Sequence, residues 1–159
     1  MKIRVGFGYD AHPLQAGKDL WLGGVKIPHT KGAVGHSDAD TLIHAMCDAF
    51  LGATNLGDIG TYFPDTSDEF KGIDSKKLLK KVAAMLNKEN YEIGNVDCTV
   101  ALQIPKIAPY IPEMKKILSE TLKIPTKNIS IKATTTEHLG FVGREEGICA
   151  YVVALLMGY

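Results

Sequence analysis

Three side chains in the sequence could bind a metal ion: Asp10, His12 and His44. Asp10 and His12 are separated by one residue at the end of a first predicted strand, and we expect His44 about two turns inside a helix. One carboxylate and two imidazoles leave one position of a tetrahedral zinc ion open, as a catalytic zinc requires. No histidine–glutamate helix motif accompanies them. From spacing alone, a metal centre and a purely structural use of the histidines both remain open.

Asp40 precedes His44 by four residues, which predicts that both side chains lie on the same face of the helix. A histidine that binds a metal through one ring nitrogen usually donates its other N–H to a carboxylate or a carbonyl. We therefore expect Asp40 to accept a hydrogen bond from the distal nitrogen of His44.

His36 and Ser37 come directly before the same predicted helix, with Ser37 as its N-cap and Asp40 completing a capping box. Free backbone amides and the helix dipole favour an anion at such an end. A phosphate could be held there by amides, by the Ser37 hydroxyl and by His36. A simple turn and cap explains these residues equally well.

A third polar cluster, Thr134-Thr135-Thr136-Glu137, follows a later predicted strand and is succeeded by Phe141 and Arg144. Hydroxyl groups suit phosphate oxygens, and a single carboxylate suits Mg²⁺, which is commonly held by few protein ligands plus substrate phosphates. Together with His36 and the metal ligands, this cluster indicates a site for a multiply phosphorylated small molecule.

The sequence lacks the usual nucleophile and nucleotide motifs, since it has neither a Gly-x-Ser-x-Gly elbow nor a Gly-Lys-Ser/Thr phosphate loop. Phosphoryl transfer needs mostly positioning and charge neutralisation, which cations and hydrogen-bond donors provide. A phosphate monoester on the substrate, largely dianionic with a second pKa near ~6, could itself be the nucleophile.

Hydrophobic periodicity predicts the elements that position these residues. Strands are predicted over about 2–9, 20–22, 25–27, 96–104, 128–135 and 148–157, and helices from about 37 to 51, from 76 to 88 and around 114–122. Residues 55–75 are rich in turn formers, which predicts a long functional or mobile loop. The order predicts one α+β domain, residues 1–159, with helices layered on a mixed β-sheet.

Two strand features predict close packing. Gly6 and Gly8 leave one face of the first strand bare, which permits close approach of another backbone. The last strand is apolar on both faces, as expected for a strand that is central in a sheet or covered by another subunit.

The composition excludes several classes of function. The formal net charge is zero, so neither nonspecific nucleic-acid binding nor a membrane-surface role has electrostatic support. Three widely spaced cysteines favour reduced thiols over a disulfide framework. No secretory signal precedes the first strand and no apolar run reaches the ~20 residues of a membrane span. We therefore expect a cytoplasmic protein.

The motifs resemble those of the 2-C-methyl-D-erythritol 2,4-cyclodiphosphate synthase family of the non-mevalonate isoprenoid pathway. The matching segments occur in order over nearly the whole chain: Gly8 to His12, Gly35 to Asp40, His44, Asp48-Ala49, Gly57 to Gly60, Phe63 to Thr66, Pro105-Lys106, Thr134 to Gly140, Phe141 and Arg144. Four positions depart from the usual family pattern: Leu102, Ala108, His138 and Glu145.

The resemblance implies a homotrimer with active sites between adjacent subunits. It implies cyclisation of 4-diphosphocytidyl-2-C-methyl-D-erythritol 2-phosphate with release of CMP, by attack of the substrate's 2-phosphate on its metal-polarised β-phosphate. By the same resemblance, Asp10, His12 and His44 bind Zn²⁺, and Glu137 binds a Mg²⁺ or Mn²⁺ ion that bridges the diphosphate. His36 and Thr135 are the implied catalytic residues, which stabilise the transition state.

The resemblance also implies which residues bind the substrate. These are Asp10, His12, His36, Ser37, Asp58, Ile59, Gly60, Phe63, Pro64, Asp65, Thr66, Ser67, Leu102, Gln103, Ile104, Pro105, Lys106, Ile107, Ala108, Thr134, Thr135, Thr136, Glu137, Phe141 and Arg144. Phe141 and Arg144 match positions near the trimer axis, where the family encloses an apolar cavity for isoprenoid diphosphates.

Two other functions stay open. The same three ligands could activate a water molecule, which would make the protein a zinc-dependent phosphoester hydrolase. Alternatively, the metal could be structural in a nonenzymatic carrier of nucleotides or isoprenoids.

Overall fold

A five-stranded mixed sheet is the frame of the protein in the computed structural model, which describes residues 1–159. The strands are β1 Lys2–Ala16, β2 Leu20–Leu22, β3 Val25–Ile27, β4 Lys31–Ala33, β5 Tyr91–Ala101, β6 Ile129–Thr134 and β7 Gly147–Gly158. The helices are α1 Thr41–Ala53, α2 Ile59–Tyr62, α3 Ser75–Lys88, α4 Ile111–Leu122 and α5 Gly140–Gly143. Single 3₁₀ turns occur at Asp68–Phe70, Ala108–Tyr110 and Thr126–Asn128.

The sheet has the spatial order β4-β1-β7-β5-β6. The β5–β6 pair is parallel, whereas β1–β4, β1–β7 and β5–β7 are antiparallel. The β2–β3 hairpin forms a separate two-stranded sheet with the bounds that the sequence predicts. The predicted α+β fold, with helices on a mixed sheet, is confirmed. No helix is both long and apolar enough to span a membrane.

Helix α1 lies directly on the backbone of β1. A Cβ atom at Gly6 would collide with the carbonyl oxygen of Ala49, and one at Gly8 with that of Ala45. The close approach expected at the two glycines is therefore real, and the approaching backbone is that of α1. This contact places the helix that carries His44 beside the strand that carries Asp10.

The core lies between the sheet and its helices. The inner face of β7 is fully buried against α1, with Ile148, Ala150, Val152, Ala154 and Leu156 each 0% exposed. Of the two alternatives predicted for this last strand, central in a sheet or covered by another subunit, the first is confirmed. The other face of the sheet is apolar but open in the single chain; among its exposed side chains are Ile3, Val5, Phe7, Tyr151 and Val153.

Strand β1 is longer than predicted and continues to Ala16. Asp10 and His12 therefore lie inside the ladder, opposite Ala150 and Ile148 of β7, and not at a free strand end. Since side chains alternate along a strand, the pairing fixes both of them on one face.

Helix α1 begins later than predicted. Its N-cap is Asp40, whose side chain accepts a hydrogen bond from the Ile43 amide at 3.0 Å, and not Ser37. Ala39 has φ 57°, a left-handed conformation that a right-handed helix does not contain. His44 consequently lies in the first turn of α1 and not two turns inside it.

Two further boundaries differ. Strand β5 begins at Tyr91 and ends at Ala101, whereas the alternation predicts 96–104. Its pairing with β7 is irregular between Ile93 and Asn95. Because of this register shift, the first residues of β5 do not continue the period-two alternation of the later ones. The predicted loop 55–75 contains α2 and a 3₁₀ turn, so it is ordered by local hydrogen bonds.

Candidate active site

Three side chains from two elements converge as the sequence predicts. Strand β1 supplies Asp10 and His12, and the first turn of α1 supplies His44. Oδ2 of Asp10 lies 2.9 Å from Nδ1 of His12 and 3.4 Å from Nδ1 of His44. One ligand atom from each residue falls within 4.8 Å of the others.

The cluster fits a divalent metal. Oδ2 of Asp10 is buried and has no aligned hydrogen-bond donor, although two ring nitrogens are near it. A buried acceptor without a donor is costly, whereas a cation at the point of convergence would satisfy it. Ligand atoms in a tetrahedral zinc site with bonds of ~2.0–2.1 Å are separated by about 3.3 Å, close to the distances found here.

Electrostatics favour an anionic Asp10. Burial opposes ionisation, but the neighbouring imidazoles of His12 and His44 outweigh it and lower the pKa of Asp10. Burial likewise opposes a charged His44, yet the Asp10 carboxylate beside it raises the pKa of His44 overall. A cation would displace the proton that the imidazole otherwise holds, so metal binding and proton release are coupled.

The distal nitrogen of His44 does not bind Asp40. Its Nε2 lies 3.0 Å from Oγ of Ser37 and 2.9 Å from Oγ of Ser75. The expectation of an Asp40–His44 hydrogen bond was wrong, because Asp40 is the N-cap and its carboxylate turns toward the helix end.

Asp40 instead joins α1 to the β2–β3 hairpin. The fully buried carboxylate accepts hydrogen bonds from three amides, those of Gly23, Gly24 and Ile43. Burial raises the pKa of Asp40.

Several amides at the predicted phosphate site before α1 already have hydrogen-bond partners. The Ile43 amide is bound by Asp40, and the amides of Ala39 and Asp40 donate to Ser37 and Asp38 respectively. Three amides around the start of the helix are therefore already paired with local side chains and are not available to an anion near Ser37.

His36 holds the loop between α2 and α3. Its Nε2 lies 2.6 Å from the carbonyl oxygen of Ser67, and its own carbonyl accepts the Gly72 amide at 2.7 Å. Because a carbonyl oxygen only accepts, Nε2 of His36 carries a proton.

A cleft of about 420 Å³ opens beside the metal ligands. Many of the predicted substrate-binding residues line it together with His44: Asp10, His12, His36, Ser37, Ile59, Gly60, Phe63, Pro64, Asp65 and Thr66. The structure thus brings the first two predicted clusters into one cavity.

Helix α2 forms one wall of this cleft and is fixed at its start. Asp58 caps it by accepting hydrogen bonds from the amide and hydroxyl of Thr61 at 3.0 and 2.9 Å. Asp48, from α1, accepts the Ile59 amide at 2.7 Å. Burial raises the pKa of Asp48. The ring of Phe63 packs edge-on against Phe70 with centroids 5.4 Å apart.

Thr134 and Thr135 of the third predicted cluster line a different cavity. A hollow of about 180 Å³ is lined by Leu102, Gln103, Pro105, Lys106, Ile107, Ala108, Ala133, Thr134 and Thr135, none of which lines the cleft. Gln103 accepts the His138 amide at 3.2 Å, which ties the proline-containing loop to the turn after β6. The side chain of Ile104 in the same loop is 47% exposed.

Glu137 lies in the exposed turn after β6 and is not part of the Asp10 cluster within one chain. Its amide donates to Oγ1 of Thr135 at 3.2 Å, and the hydroxyl of Thr136 donates to the Leu139 carbonyl. Phe141 shares a shallow hollow with His12. Arg144 forms an exposed ion pair with Glu146 at 2.9 Å, outside the cleft.

Three residues near the metal ligands are not predicted from the sequence to lie there. Asp38 and Ser75 are hydrogen-bonded to each other, and Oγ1 of Thr41 lies 3.3 Å from Nδ1 of His12. Each is a common turn or helix-start residue, so its type gave no signal. Ser75 in particular is 31 residues from His44, and the fold alone brings the two together.

Comparison with known proteins gives a consistent result. The model of the YgbB family matches residues 3–157. The chain is 60% identical over 156 residues to a 2-C-methyl-D-erythritol 2,4-cyclodiphosphate synthase of Parabacteroides distasonis, covering 98% of this chain and 97% of the relative. It is 59% identical to the synthase of Cytophaga hutchinsonii, covering 99% of each.

Solved structures have the same fold. The chain superposes on IspF of Plasmodium falciparum in complex with CDP with a TM-score of 0.87 and 38% identity, covering 98% of this chain and 96% of the other. It also superposes on the bifunctional IspDF of Campylobacter jejuni with a TM-score of 0.96 and 39% identity, covering 99% of this chain and 43% of the other.

Proposed function

The chain belongs to the YgbB family, and from this membership we infer that it is an enzyme of the non-mevalonate isoprenoid pathway. It cyclises 4-diphosphocytidyl-2-C-methyl-D-erythritol 2-phosphate to 2-C-methyl-D-erythritol 2,4-cyclodiphosphate and releases CMP. The observation that carries this function is the convergent Asp10–His12–His44 cluster beside the cleft, in a chain 60% identical to a synthase of that name. Nothing in the site favours the hydrolase over the cyclase.

We propose that Asp10, His12 and His44 bind zinc. Their one-oxygen, two-nitrogen donor set and the unpaired buried oxygen of Asp10 support this metal. We propose that Glu137, a lone exposed carboxylate, binds magnesium or manganese. Bound in these places, the two cations would polarise the β-phosphate and neutralise the charge of the diphosphate.

The nucleophile is the substrate's own 2-phosphate. Such a monoester is largely dianionic at neutral pH, with a second pKa near ~6, so no protein base has to remove a proton. The residues of the chain then have to bind both phosphates and hold them in line. Of the two residues proposed to be catalytic, His36 lines the cleft and Thr135 lines the second hollow.

His36 contributes as a hydrogen-bond donor. With its Nε2–H donated to the Ser67 carbonyl, the second donor toward a phosphate is Nδ1, which carries a proton only in the imidazolium. While the His36 imidazole is neutral, Ser37 is the better donor to a phosphate. Its oxygen accepts the Ala39 amide, and its hydroxyl proton is free to be donated.

We propose a homotrimer with its active sites between adjacent subunits. Two features support it: the cleft and the second hollow share no lining residue in one chain, and one face of the sheet exposes an apolar patch. In this assembly the cleft of one subunit meets the hollow of the next. The Gln103–Ala108 loop then binds the cytosine, Asp58 and Gly60 the ribose, and Thr134 to Glu137 the diphosphate.

Two further proposals concern the trimer axis and the place where the enzyme acts. Phe141 and Arg144 lie toward the trimer axis, where a cavity would accept an isoprenoid diphosphate. The enzyme acts on a small soluble substrate in the cytoplasm.

Product analysis in ¹⁸O-labelled water tests the reaction. Zinc-loaded protein, supplied with the cytidylyl substrate and Mg²⁺, should yield CMP and an unlabelled cyclic diphosphate in equal amounts, measured by phosphorus NMR and mass spectrometry. Heavy oxygen in CMP or in an open-chain diphosphate would identify a hydrolase. A carrier would give neither product, and turnover lost in a folded His44→Ala variant excludes it.

A further inference from the structure

A chain of hydrogen bonds runs from Asp38 through Ser75 to His44. The Ser75 hydroxyl donates to Oδ1 of Asp38, and Oγ of Ser75 lies 2.9 Å from Nε2 of His44. Asp38 comes from the segment before α1, Ser75 is the first residue of α3, and His44 belongs to α1. The contacts therefore join three separate parts of the fold.

The direction of each hydrogen bond follows from the chemistry of the groups. An ionised carboxylate only accepts, so the single hydroxyl proton of Ser75 is donated to Asp38. The oxygen of Ser75 is then left as an acceptor, and Nε2 of His44 must carry the proton between them. In the neutral imidazole that binds a metal there is one N–H, and with that proton on Nε2 the lone pair of His44 is on Nδ1.

Nδ1 is the atom that faces the proposed metal, 3.4 Å from the unpaired oxygen of Asp10. The arrangement is also held rigidly. Ser75 is 0% exposed, and the Asp38 carboxylate accepts two further hydrogen bonds, from the amides of Ser75 and Asp40 at 3.0 and 3.1 Å. Asp38 is thereby fixed as an acceptor.

We propose that Asp38 and Ser75 are positioning residues that keep a proton on Nε2 of His44, so that Nδ1 is the nitrogen that binds the metal. The proposal rests on the metal site of the proposed function. Ser37 does not replace this pair, since its hydroxyl is free to donate to Nε2 or to accept from it. Ser75, with its proton committed to Asp38, permits one tautomer.

Removing the Ser75 hydroxyl should weaken metal binding while leaving all three ligands in place. Substitution of a partner of a ligating histidine typically costs about 10–100-fold in metal affinity. We expect a loss of that order for Ser75→Ala. Asp38→Asn should also lower the zinc affinity. The introduced side-chain amide can donate to the Ser75 oxygen, and the Ser75 hydroxyl can then donate to Nε2 of His44, which reverses the direction of the hydrogen bonds.

The test measures zinc affinity by competition with a chromophoric chelator in wild type, Ser75→Ala, Asp38→Asn and the control Ser119→Ala. Ser119, in α4, also donates a hydroxyl hydrogen bond, to the carbonyl of Ile124 after the helix, and lies outside the cleft. We expect wild-type affinity in the control and the loss in both test variants. Equal affinity in wild type and Ser75→Ala would overturn the proposal, whereas a wild type that binds no zinc would refute the proposed metal site itself.

A spectroscopic measurement on the metal-free wild type is independent of whether any variant folds. Proton–nitrogen correlation spectra of ¹⁵N-histidine-labelled protein distinguish the two neutral tautomers, and His44 is assigned by the signals lost in His44→Ala. In spectra recorded at a pH where His44 is neutral, we expect Nε2–H in the wild type and a mixture in Ser75→Ala. A wild-type His44 with its proton on Nδ1 would contradict the proposal.

Discussion

At the scale of single residues, ligand identity is readable from the sequence but hydrogen-bond partners are not. The Asp10-x-His12 spacing in a strand places both side chains on one face, and the fold confirms it. The prediction that Asp40 is the hydrogen-bond partner of His44 was wrong, because Asp40 is the N-cap of α1 and its carboxylate accepts a helix amide instead. Ser75 is a partner that only the tertiary structure reveals.

Asp10→Asn should abolish stoichiometric zinc binding. Substitutions of residues that only support the ligands typically cost about 10–100-fold in activity, and we expect a larger loss here. The amide keeps the size of the side chain but removes the negative charge that attracts the cation. Elemental analysis measures the zinc and circular dichroism the fold. Full zinc retention in the variant would contradict the ligand assignment.

Glu137→Gln should weaken activation by Mg²⁺ or Mn²⁺ and leave the zinc content unchanged. Glu137 lies outside the Asp10 cluster, so the two cations should respond to different substitutions. Activity is titrated with each divalent ion, with Glu113→Gln on α4 as the matched control. A Glu137→Gln activation curve that overlays that of the wild type would argue against this cation site.

At the scale of elements, the sequence predicts the strongly periodic ones and misses those made by local side-chain bonds. Helix α3 and the β2–β3 hairpin appear within a residue of their predicted bounds. Helix α2 has one turn and is held by Asp48 and Asp58, so no hydrophobic period marks it. The true start of α1 depends on the left-handed conformation of Ala39, which is not predictable from an alanine in the sequence.

Asp48→Ala should raise the KM for the cytidylyl substrate with a smaller effect on kcat. The carboxylate anchors α2 through the Ile59 amide, and a hydrogen bond to a charged group contributes about 1.5–3 kcal/mol, which corresponds to about tenfold or more in KM. Asp48→Asn keeps an oxygen acceptor and should recover much of the loss. Unchanged KM in Asp48→Ala would show that the anchor does not position the cleft wall.

Gly8→Ala should destabilise the protein, because the added Cβ meets the backbone carbonyl of Ala45, which has no flexible side chain to move. Overpacking of this kind costs about 1–3 kcal/mol. Gly52→Ala is the matched control, since nothing lies within 4 Å of its added Cβ and alanine favours a helix. Urea unfolding should show a lower midpoint for the first variant and an equal or higher one for the second.

At the scale of the whole molecule, the two halves of the proposed site do not meet within one chain. The metal cleft and the Gln103–Ala108 hollow are separate, and the open face of the sheet is apolar. An apolar pattern on both faces of β7 is visible in the sequence. Which partner covers the outer face is not encoded in that pattern, and only the family resemblance indicates a trimer.

Val5→Glu should dissociate the proposed trimer. Val5 is 66% exposed on the open face of the sheet in one chain, and an unpaired charge buried in an apolar interface is strongly unfavourable. Sedimentation equilibrium should give a trimer for wild type and for the control Lys88→Glu, and a monomer for Val5→Glu. A wild-type monomer, or a trimer in Val5→Glu, would contradict the interface.

The proposed function depends on a catalytic metal held jointly by Asp10, His12 and His44. Anomalous diffraction at the zinc absorption edge, from crystals grown with zinc, tests it most directly. We predict a strong peak bonded to the Asp10 carboxylate and to both imidazoles, with one coordination position directed into the cleft. A map from well-ordered, zinc-soaked crystals with no peak between these three side chains would contradict the proposed metal site.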